Sequence, residues 1–338
     1  MGNLILKSNR INIIFFLLFS LFSGFVELGN VFWAIDNNYS ILSCIGLGLA
    51  YQIGNLVPVP IKLNKTVNLM FVIISLCLTL IYIFICKYYF FFFIITILTA
   101  MCIQNVRSIM KDSISTTVKR SFRILGFVLA PVCYNEKVLL FIISLILLVT
   151  IIQHNEQRLI IEKCKVKTIN LVMIVHQMHY FSYVYFIICI MVIQNTNLGK
   201  IVYGSLFALS WLTYIVMPHV LQKDTYAKYF IIGHSFLTLT LICMFLFRAN
   251  PLIILFWILT GFGGGTVFCI GKINNSKEFC AKIDLTFSEN IGHILGVIGG
   301  GLSFIITNNI YSPIIFSSVC AILAISGMLF CKNKYMLK

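Results

Sequence analysis

Residues 35–65, IDNNYSILSCIGLGLAYQIGNLVPVPIKLNK, recur in degenerate form at 193–223 as IQNTNLGKIVYGSLFALSWLTYIVMPHVLQK. Aligned without gaps at a constant offset of 158, the two stretches share seven identities: Ile35/Ile193, Asn37/Asn195, Gly46/Gly204, Ala50/Ala208, Pro60/Pro218, Leu63/Leu221 and Lys65/Lys223. Apolar sequence makes chance identities cheap, but the shared P-x-x-L-[NQ]-K boundary is not merely apolar. A second echo sets RILGFV at 123–128 against HILGVI at 293–298. The meaning of the duplication depends on how many apolar runs separate the copies.

Composition fixes the solvent of those runs. With 60% hydrophobic residues, 10% charged, 30 Phe and a mean hydropathy of +0.99 in 338 residues, the chain cannot hide its apolar surface in a soluble core. It reads as an integral membrane protein. A span needs about 20 apolar residues, and twelve such runs are expected, at 11–35, 40–61, 67–86, 88–110, 119–134, 138–153, 168–194, 199–220, 228–247, 250–271, 288–307 and 311–331. The first resembles a signal peptide but lacks a small-residue cleavage site, so it is read as a retained span. The longest polar gap, HNEQRLIIEKCKVK at 154–167, is read as a linker between halves 1–153 and 168–338. Six spans separate the copies, an even number, so the halves are expected to be parallel repeats related by an axis along the membrane normal. The expected fold is therefore all-α and polytopic, two parallel six-helix repeats.

The charge distribution gives an orientation. With both termini cytoplasmic, only Lys87, Lys137, Lys200 and Arg248 of the 25 Lys and Arg fall outside, as the positive-inside bias requires. The net charge of +15 is then a topology signal and an attraction to anionic headgroups; nucleic-acid binding is the weaker reading. Most of the twelve Cys lie singly in apolar runs (Cys44, Cys77, Cys102, Cys189, Cys243, Cys269) with no CxxC pair, so packing is favoured over disulfides. H-E-x-x-H, G-x-S-x-G and ATP-binding signatures are missing, and the loops are short. No enzyme and no cofactor is expected, and transport energy must come from a gradient.

Within the bilayer the chemistry concentrates at few positions. Glu27, in FSGFVELGN, lies about 24 Å along a helix entering at Ile11, which places it past the midplane toward the exterior. A carboxylate there is either a proton carrier tuned by burial or a paired group holding helices together. His176 and His179, in HQMHYFSYVYF at 176–186, share one helical face, with Tyr183 a further turn along and Tyr180 beside them. They read as proton relays and substrate contacts, or as core residues satisfied by carbonyls. Two His at this spacing are half of a metal site, and no metal is expected. Arg107 is either an anion anchor or a snorkelling side chain. Lys111, Lys119, Arg120 and Arg123 read as cytoplasmic flanks or as an electropositive vestibule. Gly261, Gly263, Gly264 and Gly265, and Gly292, Gly296 and Gly300, are candidates for helix packing or for a hinge.

Two parallel six-span halves joined by a cytoplasmic linker resemble the major facilitator superfamily, over nearly the whole chain. Its G-x-x-x-D-R-x-G-R loop is reduced here to PIKLNKTVN at 60–68, which keeps Lys62 and Lys65 without the Gly and Asp. QNVRSIMKDSI resembles the family's arginine near the cytoplasmic end of span 4, which would be Arg107. RILGFVLAP at 123–131, echoed by LGVIGGG at 295–301, is similar to the exporter branches' Gly-Pro-rich motif. The resemblance implies a central cavity lined by spans 1, 4, 7 and 10 and alternating access. It also implies proton-coupled export of a small, drug- or siderophore-like molecule, anionic if the vestibule loads it, from a bacterial cytoplasmic (inner) membrane by a monomer. An importer of the same fold and a membrane-embedded lipid enzyme or scramblase are the alternatives.

Overall fold

The structure is a computed structural model that describes residues 2–59, 61–62, 65–85, 88–109, 116–133, 135–152, 160–161, 163–164, 166–194, 200–220, 225–277 and 281–335. Among these residues the chain is almost wholly helical and falls into two compact units, 1–162 with 199–208, and 163–198 with 209–338. Most of the polar gap at 154–167, with Pro60, Leu63, Asn195, Leu221 and Lys223 of the repeat, lies outside the described residues.

The first unit contains α1 (Gly2–Asp36), α2 (Ile41–Leu56), α3 (Lys65–Phe84), α4 (Tyr89–Ile109), α5 (Thr116–Cys133) and α6 (Glu136–Ile152). Asn38, at φ 56°, turns the chain out of α1 in the left-handed conformation that Asn tolerates at a helix end. Ser40 then caps α2, its Oγ accepting from the Ser43 N–H at 3.2 Å. Beyond α2, the two-residue strand β1 (Ile61–Lys62) pairs antiparallel with β2 (Ile160–Ile161), tying the α2–α3 loop to the chain leaving α6. At the other end of the unit, the Trp33 Nε1–H donates to the Tyr82 hydroxyl at 3.0 Å, and Tyr82 donates to Glu136 at 2.7 Å. Trp33 also stacks on Phe92, with centroids 4.0 Å apart. The indole and phenol bury apolar rings while their polar tips stay satisfied.

The second unit contains α7 (Thr168–Gln194), the later part of α8 (Lys200–Val220), α9 (Tyr226–Leu246), α10 (Leu252–Gly264), α11 (Phe268–Lys277), α12 (Lys282–Thr307) and α13 (Ser312–Tyr335). A 3-10 turn over Gly265–Val267 joins α10 to α11, so the run expected at 250–271 is one apolar rod with its hydrogen-bond pattern broken at a glycine cluster. Its core packs Ile169, Val172 and Met173 of α7 against Phe230 of α9, Ile270 and Ile273 of α11, and Ala324 and Met328 of α13.

In both units the opening helix packs on the fifth through backbone contact at glycine. A Cβ at Gly126 of α5 would lie 2.1 Å from the Leu21 carbonyl oxygen of α1, and one at Gly24 would lie 2.2 Å from the Arg123 carbonyl oxygen. On α12, Gly292, Gly296 and Gly300 meet the carbonyls of Ile174, Met178 and Ser182 on α7 at 2.5, 2.8 and 2.0 Å by the same measure. Small residues let backbones approach where no solvent drives helices together. Gly126 and Gly296 are the glycines of the two sequence echoes.

Among the described residues eight helices are long and apolar enough to cross a membrane, and α2 and Phe207–Val220 are shorter apolar helices. Of the other two expected spans, α5 carries Lys119, Arg120 and Arg123, and α6 has 17 residues. Large apolar side chains such as Ile74, Leu80, Phe141, Leu239 and Ile306 are exposed, as lipid contact allows and water does not favour. The molecule is an integral multi-pass membrane protein. The described cysteines are free thiols, as expected from their placement.

Candidate functional site

The first site forms around Glu27. Glu27 lies on α1, within the apolar stretch Phe16–Asp36. Glu27 is 4% exposed and forms an ion pair with the half-buried Arg123 of α5. Arg123, expected among the cytoplasmic flanks, is thus turned inward onto α1. Burying a carboxylate without such a partner would be expensive.

Arg107, at the last turn of α4, also turns to α1. Its Nη2 donates to Ser23 Oγ at 2.9 Å, one turn before Glu27. The Tyr51 hydroxyl of α2 donates to the Ser23 carbonyl oxygen at 3.3 Å and interacts with the Arg107 guanidinium. Arg107 thus contacts α1 and α2. Four helices converge here, bringing two guanidinium groups, one carboxylate, one serine and one tyrosine together. Such a site can hold an anionic group between the guanidiniums. Lys111 lies outside the described residues.

The second site forms on α7 in the other unit. His176 and His179 are each 1% exposed, and the structure adds His234 of α9, at 0%. His176 Nδ1 lies 2.7 Å from His234 Nε2, and His179 Nδ1 contacts the His176 carbonyl oxygen. His234 Nδ1 lies 3.0 Å from the Phe230 carbonyl oxygen and 3.2 Å from Thr266 Oγ1 in the 3-10 turn. Tyr183 is fully buried, and its hydroxyl shares a hydrogen bond of 3.0 Å with Thr260 of α10. Tyr180, half-buried, lies edge-on to Trp211 at 6.2 Å. Gly263 packs against α9, where a Cβ would sit 2.5 Å from the Gly233 carbonyl oxygen. Gly264 is roomier, its nearest neighbour being His179 Nε2 at 3.9 Å.

The pairing of Arg123, and the parts played by His234 and His293, carried no signal in the sequence. Arg123 and His234 act through contacts across helices, which no spacing along one helix encodes. His293 Nε2–H of α12 likewise donates to the Gln177 Oε1 of α7 at 3.2 Å, and Gln177 Nε2 donates to Glu289 at 3.5 Å.

No protein-family model and no curated protein sequence matches the chain. Among solved structures, it is similar to the human organic anion transporter MFSD10 (TETRAN), at 11% identity and a TM-score of 0.52. The match covers 93% of this chain and 95% of that one. The chain therefore shares the fold of that structure.

Proposed function

We propose that the chain is a secondary active transporter of a small organic anion, coupled to protons through Glu27. The observation that carries this reading is the buried cluster in which Arg107 and Arg123 gather around one carboxylate. Support also comes from the shared glycine-mediated pairing of α1 with α5 and α7 with α12, which fits a twelve-span tandem repeat working by alternating access. The structural neighbour's own cargo class is an organic anion.

The ion pair sets the sign of coupling. While Glu27 is ionised it occupies Arg123; once protonated it releases the guanidinium to an incoming carboxylate, sulfonate or phosphate. Proton and anion then bind together and travel together, so an inward proton gradient drives uptake. This favours the importing alternative over the export implied by the motif resemblance. Export would require a cargo that competes with the proton at Glu27, as a cation does. Within the second unit, the helix break at Gly265–Val267, next to Gly263 and Gly264, supplies a hinge. His176 and His179, the other titratable candidates, are engaged with one another and with His234.

Arg107 gives the test. Its partners Ser23 and Tyr51 are uncharged, so Arg107→Gln is expected to leave the fold intact while removing half of the anion anchor. Uptake of a fluorescent organic anion such as fluorescein into proteoliposomes should fall at least tenfold, about 1.4 kcal/mol of anion binding. Unchanged uptake by this variant, or no uptake of any organic anion by the wild type, would count against the reading.

A further inference from the structure

We propose that His176, His179 and His234 form a binding site for a divalent transition-metal ion of the zinc class, within the second unit and independent of the anion site. Their ligand nitrogens all lie within 4.8 Å of one another, and all three rings are buried. No carboxylate belongs to the set, and three imidazoles suit zinc, cobalt, nickel or copper and not magnesium or calcium.

Hydrogen bonding prepares the rings for coordination. A carbonyl oxygen only accepts, so His179 Nδ1 carries its proton toward the His176 carbonyl, and His234 Nδ1 carries its proton toward the Phe230 carbonyl. Thr266 Oγ1 donates to the Gly263 carbonyl at 2.7 Å, which leaves its lone pair for the same His234 N–H. Both Nε2 atoms therefore hold lone pairs. Backbone and hydroxyl partners on the far nitrogen are how metal-bound imidazoles are commonly oriented. His176 Nδ1 then donates to His234 Nε2 across 2.7 Å. A metal ion takes the place of that shared proton, with His176 shifting its own proton to Nε2.

Coordination requires side-chain shifts on the order of an ångström: the widest ligand separation, up to 4.8 Å, must close by about 1.5 Å. Zinc–nitrogen bonds of about 2.0–2.1 Å in a tetrahedral site put ligand nitrogens about 3.3 Å apart, so the His176–His234 pair must open by roughly half an ångström. Three protein ligands leave a fourth position for water or an anion. His179 Nε2 faces Gly264, where the missing side chain leaves space beside the 3-10 turn. A bound ion would cross-link α7 to α9 next to the break in α10, and it would withdraw these histidines from proton transfer, leaving Glu27 as the coupling group.

The test uses the full chain in detergent, purified without a polyhistidine tag and titrated with cobalt and with zinc. The wild type is expected to bind one ion per chain, to give the visible absorption of four-coordinate cobalt, and to melt at higher temperature with zinc. His179→Gln and His234→Gln should each weaken cobalt binding by about 100-fold or more, and Thr266→Val by about tenfold through the His234 tautomer. Stoichiometric binding that survives either histidine substitution would assign the ion to another site and overturn the proposal. So would a wild type that shows neither the cobalt spectrum nor a zinc-dependent shift in melting, a result that needs no variant to fold and says nothing against anion transport.

Discussion

Glu27→Ala is expected to destabilise the first unit by about 3–5 kcal/mol, because it strands the Arg123 guanidinium in the membrane interior without its carboxylate. Arg123→Ala should cost a comparable amount by stranding Glu27, which is almost fully buried. Removing both charges tells the two terms apart. The double variant Glu27→Gln with Arg123→Gln should recover most of the stability lost by either Gln single variant, since a buried ion pair is often replaced by neutral groups at little cost. Melting temperature and folded yield in detergent, read as a double-mutant cycle, give the coupling energy. Additive losses would show that the two side chains do not depend on each other. The same cycle bears on function, because the double variant would fold and yet lack proton coupling.

The second large effect lies at the glycines between helices. Gly126→Ala and Gly300→Ala each place a Cβ within 2.1 Å of a backbone carbonyl oxygen, Leu21 for the first and Ser182 for the second. Backbone cannot rotate away as a side chain does, so the helices must separate. Overpacking of this kind costs about 1–3 kcal/mol, and a leucine at either position should prevent the α1–α5 or α7–α12 pair from forming. Gly271 and Gly301 supply the control, since a Cβ at either meets nothing within 4 Å. There an alanine should be neutral, or stabilising by up to about 1 kcal/mol through helix propensity. Thermal melting of the four alanine variants checks the contrast, and equal behaviour at all four would remove glycine packing from the account.

These two effects mark how far the sequence could be read. Membrane insertion, the helical class and the burial of Glu27 followed from composition and from one carboxylate inside an apolar run. The glycines of α12 were legible as packing candidates because they recur at four-residue steps. Their partner helix was not, since the contact is with α7 backbone more than a hundred residues away. Arg123 was misplaced because a basic residue near the start of a span looks like a headgroup flank, whichever way its side chain turns. His234 stands alone in α9 with no titratable neighbour at helical spacing, so only the meeting of α7 and α9 reveals it. The break in α10 was foreshadowed by its glycine cluster.

Coupled movement of proton and anion is the central functional claim, and an interior pH record tests it most directly. Proteoliposomes containing the wild-type protein and a trapped pH-sensitive dye are given an inward gradient of an organic anion with no initial pH gradient. The account predicts that the interior acidifies in step with anion entry, as each anion brings the proton that freed Arg123 from Glu27. An interior that turns alkaline as the anion enters, or that holds its pH, would contradict it.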